Sequence, residues 1–164
     1  MTTFGSGKHS YQVADGFFKR PRKWPFTEVT DVAVDRDDNV YVFNRGPYAP
    51  IMIFDKRGNY LDGWGHLGFD FVVPHSVTIG PDGSVYTSDT GDHTVRRWTK
   101  EGKLLLTIGR PLINSPEQSG QPFNRPTHLT VASNGDFYAS DGYGNSHIHC
   151  FDPDGQLKFS WGGH

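Results

Sequence analysis

The stretch DRDDNVYVFN at residues 35–44 decides the fold, because two close copies of it follow in the same chain. GPDGSVYTSD occupies residues 80–89 and ASNGDFYASD occupies residues 132–141. One tyrosine position marks the common register: Tyr41, Tyr86 and Tyr138. In each copy a turn rich in Asp, Asn or Gly leads into a short run with aromatic and β-branched residues, a pattern typical of β-hairpins. The chain is therefore built from three copies of one β-rich unit.

Each copy closes on a further similar segment, read as GNYLDGWG, GKLLLTIG and GQLKFSWG. Within a copy, four short strand patterns alternate with turns, which indicates a four-stranded propeller blade. We therefore predict an all-β β-propeller of about three four-stranded blades, with repeats at 25–66, 67–110 and 120–164. The Pro-, Ser- and Gly-rich segment RPLINSPEQSGQPFNRP is expected to form a surface loop between the second and third repeats.

The number of blades has a consequence for assembly. Closed propellers typically need about four to eight blades, so three blades correspond to half of a six-bladed ring. Residues 1–24 are expected to be an N-terminal extension, and HSYQVADGFF within it could be a ring-closing strand. Unpaired strand edges favour association, so a homodimer could complete the ring.

Composition narrows the range of partners. The 164 residues include 16 Lys and Arg against 18 Asp and Glu, so no nucleic acid partner is expected. No apolar run approaches the roughly 20 residues of a membrane helix, so no membrane partner is expected either. Cys150 is the single cysteine and the first residues have no apolar run typical of a signal peptide. These features favour a cytoplasmic location.

Three departures from the repeat are candidates for chemistry. The innermost strands are expected to begin at Thr30, His75 and Thr127, and the histidine among them is a candidate metal ligand or a hydrogen-bonded channel residue. In NRGP, Arg45 offers a rigid fork of donors for an anionic substrate group, or forms a surface salt bridge. In DGYGNS, Tyr143 lies on a turn and is a candidate general base, although a turn tyrosine usually only packs.

The motifs VFNRG, VPHSV, FNRPT and SDGYGNS resemble the lyase domain of the peptidylglycine α-amidating enzymes. The resemblance implies an NHL-repeat propeller that cleaves a peptidyl-α-hydroxyglycine into a peptide amide and glyoxylate, with a zinc ion in the channel. It implies that His75 is the first of three histidine ligands, that Arg45 binds substrate and that Tyr143 is catalytic. It further implies a structural calcium held partly by the backbone carbonyls of Val32 and Val77, and a peptide or other small-molecule substrate.

The sequence also departs from this family. The animal enzymes have a disulfide where this chain has Asn124 and Gly144. The two other zinc-binding histidines are expected beyond His164, so the chain alone is expected to be inactive. Two alternatives stay open. One is a non-catalytic NHL scaffold that binds protein or RNA, and the other is a lyase for a different small α-hydroxy amide.

Overall fold

A computed structural model describes residues 3–163 of the chain. Within this range the regular structure is β-strand throughout, arranged as three four-stranded antiparallel sheets and one two-stranded hairpin. In the same range, no helix has the length and hydropathy that crossing a membrane requires. The predicted all-β propeller of three four-stranded blades is confirmed.

The strands follow the repeats in chain order. The N-terminal hairpin comprises β1 (Thr3–Ser6) and β2 (His9–Gln12). Blade 1 comprises β3 (Val29–Val34), β4 (Val40–Asn44), β5 (Tyr48–Phe54) and β6 (Tyr60–His66). Blade 2 comprises β7 (Pro74–Ile79), β8 (Val85–Asp89), β9 (Thr94–Trp98) and β10 (Leu104–Ile108). Blade 3 comprises β11 (His128–Val131), β12 (Phe137–Asp141), β13 (His147–Phe151) and β14 (Leu157–Gly162).

Strand alternation builds the core between blades. Successive side chains of β4 point to opposite faces, so Tyr41 and Phe43 face blade 2 while Val42 faces away from it. Two apolar layers result, one between blades 1 and 2 and one between blades 2 and 3. The innermost strands β3, β7 and β11 consequently lie beside one another, as the sequence predicts.

The face of blade 1 that points away from blade 2 is covered by the chain's own N-terminal segment. The Phe18 ring lies 4.7 Å from the Phe54 ring, and the Trp24 ring lies 5.5 Å from the Tyr60 ring. The segment that could close a ring includes His9–Gln12, which pairs here with β1 in the hairpin. Residues 18–26 therefore form a cap on blade 1.

Within the described residues 3–163, the opposite end of the array has no such cap. Tyr41 and Tyr86 are 3% exposed because the next blade covers each of them, whereas the equivalent Tyr138 is only half-buried. Beside it, Phe159 is 50% exposed and Trp161 is 47% exposed. We call this surface of Tyr138, Phe159 and Trp161 the outer face of blade 3.

Candidate active site

A buried polar side chain at the end of each second strand sets where the innermost strand begins. In blade 2, the Asp89 carboxylate accepts the N–H groups of Val72 at 2.6 Å and of Val73 at 2.8 Å. Asn44 accepts the equivalent two N–H groups in blade 1, whereas Asp141 in blade 3 accepts only the first of them, that of Asn124. All three side chains are at most 1% exposed. This repeated contact fixes the segment that leads into β7, and therefore the position of His75.

His75 lies at the channel end of β7, with both ring nitrogens in contact. Its Nδ1 donates to the carbonyl of Thr127 at 2.6 Å. A carbonyl can only accept, so Nδ1 carries the proton and Nε2 keeps its lone pair. The Tyr143 hydroxyl lies 3.2 Å from Nε2, and the two rings meet edge-on at 5.6 Å. The structure thus brings His75 and Tyr143 together across the boundary between blades 2 and 3.

Arg45 follows β4 directly and turns toward the segment before His75. Its Nε donates to the carbonyl of Pro74 at 3.1 Å, and its Nη1 forms an ion pair with Glu28 at 2.8 Å. The surface salt bridge that the sequence analysis gave as the alternative role of Arg45 is therefore present. At the same time, the contact with Pro74 connects Arg45 to the backbone that carries His75.

Sequence reasoning missed two charged residues at this end of the channel. Glu28 pairs with Arg45, and Arg125 points its guanidinium at the carbonyl of Tyr143, with Nη2 at 3.5 Å. The two residues occupy the same repeat position, which holds Val73 in blade 2. The aligned copies therefore change from Glu to Val to Arg at this position, and this variation could have marked both charged residues as candidates.

The residues predicted to bind calcium lie on neighbouring innermost strands. Val32 is in β3 and Val77 is in β7, and the Asp31 carboxylate joins them by accepting both of their N–H groups, at 2.9 and 3.0 Å. The imidazole Nδ1 of His128 lies 3.7 Å from the same carboxylate. Across residues 3–163, however, no three side chains of His, Cys, Asp or Glu cluster as a metal site requires.

The remaining histidines of blade 3 have structural contacts. His149 is fully buried, with Nδ1 2.7 Å from the Ser160 hydroxyl and Nε2 3.4 Å from Asp141. His147 donates from Nδ1 to the carbonyl of Asn145. His149 therefore belongs to the interior of the blade, whereas His147 is half-buried.

Asn124 and Gly144, the positions where the resemblance implies a disulfide in the animal enzymes, are adjacent in this fold. The N–H of Gly144 donates to the carbonyl of Asn124 at 3.1 Å. A Cβ added at Gly144 would lie 2.3 Å from the Asn124 side chain, so glycine is what lets the asparagine occupy this space.

The repeat pattern and this geometry define the class of protein. The NHL repeat family matches residues 71–98 and 123–151, the cores of blades 2 and 3. The chain is an NHL-repeat β-propeller protein that resembles the amidating lyases.

Individual relatives show how far this resemblance extends. The chain is 29% identical to peptidyl-alpha-hydroxyglycine alpha-amidating lyase 1 of Drosophila melanogaster, over 85% of this chain and 31% of the relative. It is also 29% identical to NHL repeat-containing protein 3 of Mus musculus, over 82% of this chain and 42% of the relative. The chain thus spans less than half the length of these relatives.

Solved structures show a similar fold. Virginiamycin B lyase from Staphylococcus aureus matches with a TM-score of 0.62 at 18% identity, over 84% of this chain and 42% of the other chain. At this identity the match supports the β-propeller architecture alone.

Proposed function

We propose that this chain supplies part of the active site of a lyase that cleaves the N–Cα bond of a peptidyl-α-hydroxyglycine. The observation that carries the proposal is the contact between His75 Nε2 and the Tyr143 hydroxyl at 3.2 Å. Arg45 adds to it, because its guanidinium contacts the carbonyl of Pro74, the residue before His75. Similarity to a lyase of Drosophila melanogaster over 85% of the chain supports the same function.

The chemistry needs one proton removed and one supplied. As the N–Cα bond breaks, the hydroxyl on the α-carbon becomes the carbonyl of glyoxylate and loses its proton, while the departing amide nitrogen gains one. Tyr143 is 61% exposed and so is open to a substrate hydroxyl. In its present contact the Tyr143 hydroxyl donates a hydrogen bond to His75 Nε2. As the phenolate, Tyr143 would accept the hydroxyl proton of the substrate, and the phenol so formed would pass that proton to the departing amide nitrogen. Arg45 keeps the backbone at Pro74 in place.

The residues present fit a metal in part. Nδ1 of His75 donates to a backbone carbonyl, the arrangement that orients metal-binding histidines, and leaves Nε2 as a ligand atom. Bound zinc would act as a Lewis acid on the substrate oxygens. Nε2 has one lone pair, so His75 serves either the metal or Tyr143 at one time. Residues 3–163 contain no cluster of three His, Cys, Asp or Glu side chains. Further metal ligands would therefore come from outside this range.

We propose calcium as a structural ion on the same basis. The peptide groups of Val32 and Val77 lie on neighbouring innermost strands, and carbonyl oxygens suit calcium. The carboxylate that holds these strands together, Asp31, already accepts two N–H groups. Its role here is therefore to fix the strands on which the two carbonyls lie.

Release of glyoxylate tests the lyase proposal directly. The chain would be joined in one polypeptide to the remaining blades of the Drosophila relative and given N-benzoyl-α-hydroxyglycine. Equal amounts of benzamide and glyoxylate are expected, and Tyr143→Phe in the same polypeptide should suppress both. A folded polypeptide that binds zinc but releases no glyoxylate would contradict the proposal.

A non-catalytic scaffold is the second candidate function, and one surface favours it. A groove of about 450 Å³ lies between blades 1 and 2, at the end of β7 away from His75. It is lined by acidic Asp35, Asp37, Asp82 and Glu101 and by basic Arg36 and Lys100. This balance suits a protein partner better than the phosphates of RNA. Mouse NHL repeat-containing protein 3 is a relative whose name contains no activity.

A further inference from the structure

The substrate of the proposed lyase carries a carboxylate next to the carbon that reacts, and this inference rests on that proposed function. A carboxylate at a binding site requires a cation or several hydrogen-bond donors to replace its hydration. Two guanidinium groups lie close to His75 and Tyr143, those of Arg45 and Arg125. The structure distinguishes them by what each already contacts.

Arg45 is already occupied. Its Nη1 pairs with the Glu28 carboxylate at 2.8 Å and its Nε donates to Pro74 at 3.1 Å. A substrate carboxylate that approached this guanidinium would also approach Glu28, and two like charges at one cation repel each other. The contacts of Arg45 therefore suit a residue that positions the backbone before His75.

Arg125 has the opposite character. Its side chain is exposed, and within residues 3–163 it forms no ion pair. Among the residues that the structure describes, its guanidinium hydrogen-bonds only to a neutral group, the carbonyl of Tyr143 at 3.5 Å. It therefore lies beside the proposed catalytic tyrosine with its charge unpaired, as a receptor for an anion requires.

The backbone of Arg125 is held in an unfavourable conformation. Its φ is 64°, in the left-handed region that residues with side chains rarely adopt, and a proline follows it. The N–H of Arg125 donates to Nδ1 of His93 at 3.1 Å, and the N–H of Asn124 is held by the buried Asp141. The equivalent Glu28 and Val73 do not have positive φ. Strained residues of this kind concentrate at functional sites.

We propose that Arg125 binds the carboxylate of the α-hydroxyglycine end, and that Arg45 is a positioning residue. The site then selects substrates with a free carboxylate over the corresponding amides. Arg125 binds this carboxylate directly from its position next to the Tyr143 turn, whereas Arg45 acts indirectly by holding the backbone at Pro74.

Binding of two unreactive probes tests this assignment without requiring turnover. N-benzoylglycine carries the carboxylate and N-benzoylglycinamide replaces it by a neutral amide, and calorimetry measures both against the chain. We expect the wild type to bind the acid more tightly than the amide. Arg125→Gln should lower the affinity for the acid by about 10- to 100-fold and change the affinity for the amide little. Arg125→Lys should retain part of the preference. Arg57→Gln, an exposed arginine on a turn of blade 1, should retain all of it.

The opposite results are equally clear. A preference for the acid that survives Arg125→Gln and disappears in Arg45→Gln would make Arg45 the receptor and overturn the assignment. A wild-type chain that binds acid and amide equally would overturn it as well. A preference that depends on Arg125, found together with no release of glyoxylate, would reject the lyase proposal and leave a carboxylate-binding site.

Discussion

The Nε2 atom of His75 lies 3.2 Å from the hydroxyl of Tyr143, although 68 positions separate the two residues in the chain. His75 comes from the innermost strand of blade 2, and Tyr143 comes from the turn between β12 and β13 in blade 3. The Thr127 carbonyl accepts a hydrogen bond from Nδ1 of His75 and so orients the imidazole toward Tyr143. Two separate departures from the repeat thus meet at one boundary between blades.

Removal of the Tyr143 hydroxyl should suppress the proposed reaction and spare the fold. In the joined polypeptide, Tyr143→Phe is expected to lower the rate of glyoxylate release by about 10²- to 10⁴-fold, the range of a lost acid–base group. The side chain is largely exposed, so the melting temperature should not change. Tyr11→Phe, an exposed tyrosine of the hairpin, is the matched control. Equal rates for Tyr143→Phe and wild type would exclude an acid–base role.

His75 should control zinc content. We expect one zinc per joined polypeptide by elemental analysis, and loss of most of it in His75→Ala, because the imidazole supplies one ligand of the proposed set. His9→Ala alters a histidine of the exposed hairpin and should leave the zinc in place. Retention of zinc in His75→Ala would remove His75 from the ligand set.

The repeats predict the fold well because their signal is redundant. Each blade repeats the same alternation and the same turn, so the four strands of blade 2 lie within the repeat that the sequence predicts at 67–110. The contact between His75 and Tyr143 was not predictable, since it depends on how blade 3 rotates against blade 2. Glu28 lies in the same blade as its partner Arg45, just before β3 and opposite the end of β4, so its contact does not depend on the packing of blades. The aligned copies do carry a signal for it, the change from Glu to Val to Arg at one repeat position.

Asp89 should carry a large share of the stability of blade 2. Its buried carboxylate accepts N–H groups from Val72, Val73 and Gly91, and Asp89→Ala would leave these donors without a partner. We expect a loss of about 2–4 kcal/mol in the free energy of unfolding, measured with urea.

Two further variants sharpen this test. Asp89→Asn should cost less, because Asn44 accepts the equivalent N–H groups in blade 1. Asp62→Ala removes an exposed carboxylate that accepts one N–H, and should change stability little. A similar loss in Asp62→Ala and Asp89→Ala would show that the buried contact has no special weight.

A disulfide should form if cysteines replace Asn124 and Gly144. The backbone hydrogen bond at 3.1 Å places these residues side by side, and the loop they close has a length for which a crosslink stabilises by about 3 kcal/mol. Oxidised Asn124→Cys/Gly144→Cys should therefore melt higher than its reduced form. The single variants are the controls, and Cys150 is buried and should not interfere. Free thiols in the double variant after oxidation would contradict the adjacency.

The outer face of blade 3 should make the chain associate with a second copy. Positions equivalent to Tyr138 are covered by the next blade, and exposed Phe159 and Trp161 extend the apolar area that needs cover. Light scattering should therefore give the mass of a dimer at about 100 µM, a concentration that detects weak association. Trp161→Ser should return the chain to a monomer. Phe69→Ser changes a highly exposed aromatic residue elsewhere and should not.

The cap on blade 1 determines which dimer forms. A dimer that completes the ring places blade 3 of one copy on blade 1 of the other, where Phe18 already packs against Phe54 at 4.7 Å. That dimer must displace the cap, whereas a two-fold pairing of two blade 3 faces leaves the cap intact. Phe18→Ser weakens the cap, so it should strengthen a ring-completing dimer and leave a face-to-face dimer unchanged. A wild-type chain that is strictly monomeric and well folded would contradict both.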